Sequence, residues 1–122
     1  MALRVRKSKV SEPPPVCPLT ACMKLLGGAW TPNVVWYLRG EPRRFGELRG
    51  DIGRISAKVL SARLRQLQAS GVVVRNAVAG SPPSFEYELS ELGRELVPAI
   101  AAIVAVGEKL KRRAVTRPAK AR

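Results

Sequence analysis

Apolar residues recur at helical spacing near the start of the chain. The i, i+3, i+4, i+7 pattern first appears at Leu19, Cys22, Met23 and Leu26. It predicts a helix over residues 18–26 that ends at Gly27. Thr31 followed by Pro32 is typical of a helix start, and predicts a second helix over 32–39 with Thr31 as its N-cap.

The clearest helical pattern lies between residues 57 and 70. Ser56 occupies the N-cap position, Gly71 ends the pattern, and one face carries Leu60, Leu64 and Leu67. The opposite face carries Lys58, Ser61, Ala62, Arg65 and Ala69. The leucine face is therefore expected to pack against the rest of the domain, and the opposite face is free to contact a partner. A short extended stretch over Arg43-Arg44-Phe45 and a helix with apolar positions at Phe45, Leu48 and Ile52 are predicted just before it.

Residues 72–75, three valines followed by Arg75, and residues 85–89, which alternate apolar and acidic, predict the two strands of a hairpin with a proline-containing tip. Ser90 then caps a last helix, in which the twelve residues Leu96–Gly107 bear no charge. From Lys111 onward the basic and small residues predict disorder.

This order of elements predicts a mainly α fold with a small β-hairpin, an α+β winged helix-turn-helix. Helix 57–70 is then the recognition helix for the major groove, and the wing over 72–89 lies beside it. The predicted organisation is a basic, proline-rich arm over 1–16, a domain over 17–110 that includes a dimerisation helix, and a basic tail over 111–122.

Charge agrees with a nucleic-acid partner. The 122 residues contain 22 Lys and Arg against 9 Asp and Glu, a formal net charge of +13. Half of the cations lie in residues 1–11 and 109–122, near the two ends of the chain, so the part between them is far less basic. Within the domain, residues 43–65 are basic and residues 66–108 are acidic. A basic segment on a folded scaffold suits a polyanion, although a merely solvated surface is the alternative.

Composition also excludes several kinds of chemistry. The chain has no histidine and two cysteines, so histidine-dependent nucleophiles and Cys₂His₂ or Cys₄ zinc sites are impossible. No catalytic site, metal or cofactor is expected, and no small-molecule effector is assigned. The N-terminus lacks the apolar stretch of a secretory signal, and no apolar run is long enough for a membrane span. We therefore expect a cytoplasmic protein with reduced thiols.

Eight residues are candidates for contact with double-stranded DNA. Arginine, lysine and hydroxyl side chains donate to phosphates, and arginine and lysine also donate to guanine edges. For each, the alternative is an ordinary hydrated or capping side chain. The candidates are Arg43, Arg44, Ser56, Lys58, Ser61, Ala62, Arg65 and Arg75.

Several short sequence motifs, in the same order along the chain as in the family, resemble those of the HxlR-type transcriptional regulators, relatives of the MarR group. The resemblance runs from Cys17 to about Gly107. The motifs are Cys17-Pro18, Leu26-Gly27-Gly28-x-Trp30-Thr31, Arg43-Arg44-Phe45-x-Glu47-Leu48, Ile55-Ser56-x-Lys58-Val59-Leu60-x-x-Arg63-Leu64-x-x-Leu67, Gly71-Val72-Val73, Pro82-Pro83-x-x-Glu86-Tyr87-x-Leu89 and Leu92-Gly93.

The resemblance implies a homodimeric DNA-binding regulator that pairs through its first and last helices. It also implies a possible redox sensor at Cys17, where several family members carry a reactive thiol. A buried, inert Cys17 is the alternative, and Cys22 is expected in the core. Two departures stand out, because Ala29 and Ser84 occupy positions where the family commonly has a basic residue.

A two-fold pair of recognition helices predicts a pseudo-palindromic operator. The residues expected at the dimer interface are Leu19, Met23, Leu96, Ile100, Ile103, Val104 and Gly107. Two other functions compete with a sequence-specific regulator. A nonspecific architectural DNA-binding protein would show steep salt dependence and little sequence preference. A winged-helix protein interaction module would not depend on Lys58 or Arg65.

Overall fold

Helices dominate the structure, a computed structural model that describes residues 3–7 and 17–116. Within these ranges the elements follow in the order α1 Pro18–Leu26, α2 Thr31–Tyr37, β1 Arg43–Arg44, α3 Phe45–Ile52, α4 Ala57–Ala69, β2 Val73–Val78, β3 Ser84–Leu89 and α5 Glu91–Thr116. This confirms the predicted α+β winged helix-turn-helix. Most of the predicted basic arm, including residues 8–16, lies outside the described residues.

The start of α2 differs from the prediction. Trp30 is the N-cap, with a left-handed φ of 73°, and Thr31 is the first helical residue. Thr31 is fully buried, and its hydroxyl donates to the Gly27 carbonyl oxygen at 2.9 Å. The hydroxyl therefore satisfies a carbonyl at the end of α1 instead of capping α2, which makes the predicted N-cap wrong.

The hairpin is longer than its predicted strands and gains a third strand. The sheet order is β1-β3-β2, with both pairs antiparallel. Val73 pairs with Leu89 at the base of the hairpin, and Val78 pairs with Ser84 near its tip. At the base, Val73 and Leu89 are buried, which anchors the wing in the core.

One hydrophobic core holds the helices against the base of the sheet. Leucines of α4 form its centre, with contributions from α2, α3, the strands and the first half of α5. The buried apolar residues are Leu26, Val34, Val35, Leu38, Leu48, Ile55, Leu60, Leu64, Leu67, Val72, Val73, Leu89, Leu96 and Ile100.

Helix α5 continues to Thr116, so the prediction of disorder from Lys111 is wrong for residues 111–116. Lysine, arginine and alanine are good helix formers, and cations near a helix C-terminus are stabilised by its dipole. The same basic residues that suggested a disordered tail therefore favour extra turns of helix.

Candidate nucleic-acid interface

Helix α4 has the two faces that its sequence predicts. The Ser56 hydroxyl accepts a hydrogen bond from the Val59 backbone N–H at 3.2 Å, confirming the predicted N-cap. Leu60, Leu64 and Leu67 are fully buried. Packing on one side and a side-chain cap at the N-terminus thus fix the orientation of the helix.

The opposite face of α4 meets solvent. Lys58, Ala62 and Arg65 are exposed and Ser61 is half-buried. Arg65 Nη2 donates to Ser61 Oγ at 3.4 Å, which places the two side chains side by side along the helix. Two cations, a hydroxyl and a small residue therefore form one accessible surface.

Arg63 and Gln66 attach α4 to the loop between α1 and α2. Arg63 Nε donates to the Ala29 carbonyl oxygen at 2.7 Å, and Gln66 Nε2 donates to the Gly27 carbonyl oxygen at 3.3 Å. Helical periodicity alone did not reveal this role, because both acceptors are backbone atoms more than thirty positions earlier in the chain. Arg63 therefore positions α4 on the scaffold.

Arg43 and Arg44 lie on opposite faces of β1. The Arg43 guanidinium forms ion pairs with Glu41 at 3.4 Å and Asp51 at 3.5 Å. Arg44 is exposed and lies directly across from Glu86 in the β1–β3 ladder. Acidic neighbours therefore offset the charge of both arginines, in contrast to Lys58 and Arg65.

Arg75 lies on the wing, exposed on β2. Its guanidinium stacks over the Phe85 ring, 3.6 Å from the ring centroid. Phe85 is 44% exposed, so this stacked pair lies at the surface of the wing. Tyr37 is exposed as well, whereas Trp30, Trp36 and Phe45 pack against the core.

Both cysteines are free and exposed. Cys17 is the N-cap residue of α1, directly before Pro18 at the first helical position. The expected core position of Cys22 is wrong, because Leu26 is the one buried residue of α1 and the rest of its apolar face meets solvent.

Apolar side chains are also exposed on two helices, on α1 and on the second half of α5. Leu19 is 68% exposed, Met23 53% and Ile103 61%. Val104 and Gly107 are half-buried. We call these five residues, with the exposed Val106 and Leu110, the apolar surface.

Leu96 and Ile100 do not belong to the apolar surface, because both are buried in the core of their own chain. They therefore expose almost no side-chain surface for their predicted contact with a second copy. The first half of α5 packs on the domain and the second half extends beyond it, so one apolar stripe has two different surroundings.

No group of three or more potential metal-ligating side chains occurs in residues 3–7 and 17–116. Over the same ranges, no helix is long and apolar enough to cross a membrane.

Comparison with known proteins decides the family. Residues 25–114 match the model of the HxlR-like helix-turn-helix proteins. The chain belongs to the HxlR-like helix-turn-helix family. A similar protein, the HTH-type transcriptional regulator YdeP of Bacillus subtilis, is 35% identical over 97 residues, which cover 80% of this chain and 76% of YdeP.

Solved structures of similar proteins include two regulators with a similar fold. The redox regulator HypR in its oxidised form has 32% sequence identity and a TM-score of 0.72, with 76% of this chain and 96% of HypR covered. The reduced transcriptional regulator YodB from B. subtilis has 29% identity and a TM-score of 0.61, with 86% of this chain and 98% of YodB covered.

Proposed function

We propose that this HxlR-like chain is a sequence-specific DNA-binding transcriptional regulator that acts as a homodimer. The observation that carries the proposal is the free face of α4, where Lys58 and Arg65 are exposed while the leucines behind them are buried. The kinship with HTH-type regulators such as YdeP supports the same function.

In this proposal α4 enters the major groove. Arg65 and Lys58 donate to guanine edges or phosphates, and Ser61 donates to a phosphate oxygen. Ala62 is small enough to let the helix approach the base edges closely. Ser56 and the free N–H groups at the start of α4 face a backbone phosphate.

Arg43, Arg44 and Arg75 are proposed as contacts outside the groove. The ion pairs of Arg43 with Glu41 and Asp51 make it the weakest of these three candidates. Arg75 is the strongest, because no acidic side chain pairs with its guanidinium in the part of the chain that the structure describes.

The apolar surface supports the proposed homodimer. Burying Leu19, Met23 and Ile103 between two copies removes apolar area from water, and such burial contributes about 25 cal/mol for each Å². A two-fold axis through this surface relates two α4 helices, which then match two half-sites of a pseudo-palindromic operator.

The test is fluorescence anisotropy with the upstream intergenic DNA of the gene itself and a scrambled duplex. We expect the wild type to prefer the upstream DNA about 10³-fold or more. Arg65→Ala should cost about 1–3 kcal/mol of binding free energy on that DNA and far less on the scrambled duplex. Lys109→Ala is the matched control, since it removes one exposed cation from α5.

Equal losses from the two substitutions on both duplexes, with a steep salt dependence, would instead identify an architectural DNA-binding protein. Absence of binding to either duplex would identify a protein interaction module and overturn the proposal.

A response to oxidants is proposed as well, carried by the exposed Cys17 at the N-cap of α1. Hydrogen peroxide converts an accessible thiol to a sulfenic acid and water, and a thiol reductant reverses the reaction. The redox regulator HypR is similar in fold and sequence, which supports a thiol response here.

We expect peroxide to weaken DNA binding by the wild type and by Cys22→Ser, and to leave Cys17→Ser unaffected. The measurement is the anisotropy titration before and after peroxide, then after reductant. An equal response of Cys17→Ser and the wild type would contradict a sensor at this residue.

A further inference from the structure

The wing has two chemically different faces, which the strand register defines. Side chains of residues directly paired in an antiparallel ladder project to the same side, and successive residues alternate. Arg75 pairs with Tyr87, and Ala77 pairs with Phe85. These four residues therefore share one face, which we call the arginine face.

The arginine face is the side of the sheet that is turned toward the helices. Val73 and Leu89, the next pair on the same face, are buried in the core with the leucines of α4. Moving outward from this pair, the face leaves the core and becomes exposed at Arg75 and Phe85. Arg75 consequently projects from the same side of the sheet on which α4 lies.

The opposite face carries the acidic residues of the hairpin. Asn76 pairs with Glu86, and Val74 pairs with Glu88. Asn76 Nδ2 donates to Glu88 Oε1 at 2.8 Å, which holds one carboxylate on this face. Two carboxylates there repel a phosphate backbone, so we call this side the acidic face.

Arg75 is the one cation in the sequence between Arg65 and Arg94. Its charge lies on the arginine face, and its guanidinium stacks on Phe85 at 3.6 Å. Stacking occupies the flat side of the guanidinium, whereas its N–H donors lie in the plane and stay available. Among the described residues, the Arg75 side chain makes no hydrogen bond or ion pair that would compete for those donors.

We propose that the arginine face of the wing docks on the DNA backbone, with Phe85 as a positioning residue that holds the Arg75 guanidinium toward a phosphate. This inference rests on the proposed function and adds the orientation of the wing and the role of Phe85. An arginine already fixed on a ring loses less side-chain entropy when it binds. The acidic face then points away from the duplex, and Arg44, which lies across from Glu86 on that face, is the one proposed contact that this orientation excludes.

The first test is a double-mutant cycle on operator affinity. Arg75→Ala should weaken binding about 5- to 10-fold. It should also make the negative slope of the log binding constant against log salt shallower by about 0.9, as expected for the loss of one phosphate contact. Phe85→Leu, which removes the ring, should weaken binding about threefold when Arg75 is present and not at all in the Arg75→Ala background. Phe85→Tyr keeps a ring and should bind as the wild type does.

Val74→Ala is the matched control, because Val74 is 41% exposed and lies on the acidic face. Its operator affinity should equal that of the wild type. Thermal unfolding of each variant checks that the fold is retained. A Phe85→Leu effect of the same size in the Arg75→Ala background would overturn the positioning role.

The second test concerns orientation. Ala77→Lys adds a cation to the arginine face and Val74→Lys adds one to the acidic face, both at exposed positions. We expect the negative slope of the log binding constant against log salt to become steeper by about 0.9 for Ala77→Lys and to stay unchanged for Val74→Lys. The reverse result would overturn the orientation. Failure of the proposed function itself is distinguishable, because the wild type would then show no preference for the operator.

Discussion

At the scale of single residues, Ser56 starts the helix that carries most of the proposed DNA contacts. Its hydroxyl satisfies the Val59 N–H, one of the backbone donors that a helix start leaves without a partner. Ser56→Ala should therefore lower the free energy of unfolding by about 1 kcal/mol, measured by urea denaturation. Ser56→Asp retains a capping oxygen and should lose much less stability.

Ser61→Ala serves as the comparison within the same helix. Ser61 is half-buried in the middle of α4 and caps nothing, so its replacement should leave the free energy of unfolding nearly unchanged. If Ser56→Ala were as stable as Ser61→Ala, the capping bond would not contribute to stability.

Residue roles were predictable where they depend on neighbours in sequence. Arg63 and Arg65 are both basic residues of α4, and the leucine pattern leaves both outside its buried face. The structure separates them, because Arg63 bonds to the Ala29 carbonyl while Arg65 remains exposed. Contacts of this kind depend on how distant segments meet, and periodicity carries no information about that.

At the scale of elements, the start of α5 packs tightly against the start of β2. A side chain at Gly93 would clash with the Val72 carbonyl oxygen and would approach Leu89 side-chain atoms to 3.1 Å. Because Ser90 also donates to that carbonyl, the strand has little freedom to move away. Gly93→Ala should therefore cost about 1–3 kcal/mol of folding free energy.

Gly50→Ala is the control for this substitution. Gly50 lies in α3, and an added methyl group there would meet no atom within 4 Å. Alanine has the higher helix propensity, so Gly50→Ala should raise the free energy of unfolding by about 0.5–1 kcal/mol. Thermal or urea unfolding of both variants checks the contrast, and equal effects would contradict the packing argument.

Most elements were predictable because their signals are local. The proline at the start of α1, the Ser56 cap and the leucines of α4 each specify structure within a few positions. The division of α5 into a buried first half and an exposed second half was not predictable. Its apolar stripe continues from Leu96 to Leu110, while the core ends part-way along the helix. Where a stripe passes from core to surface depends on the size of the whole domain.

At the scale of the whole molecule, the apolar surface predicts the oligomeric state. Ile103→Glu places a charge on that surface and should convert the dimer to a folded monomer, because burying an unpaired carboxylate is costly. Sedimentation equilibrium measures the mass, and circular dichroism checks the fold. Loss of the dimer should also lower operator affinity.

Ala105→Glu adds the same charge to the other side of α5, two positions away and also exposed. It should remain dimeric. A dimeric Ile103→Glu variant would show that the copies pair elsewhere.

Helix α5 acts as a lever in the proposed dimer, since one continuous rod joins the core of each domain to its partner. Its 26 residues span about 39 Å at 1.5 Å per residue. A tilt of about 5° between the two rods shifts their far ends by roughly 3 Å, a large fraction of the rise of one base-pair step, about 3.4 Å. Small angular changes near α1 can therefore shift the two α4 helices out of register with successive turns of the DNA. No side chain that contacts the DNA needs to change.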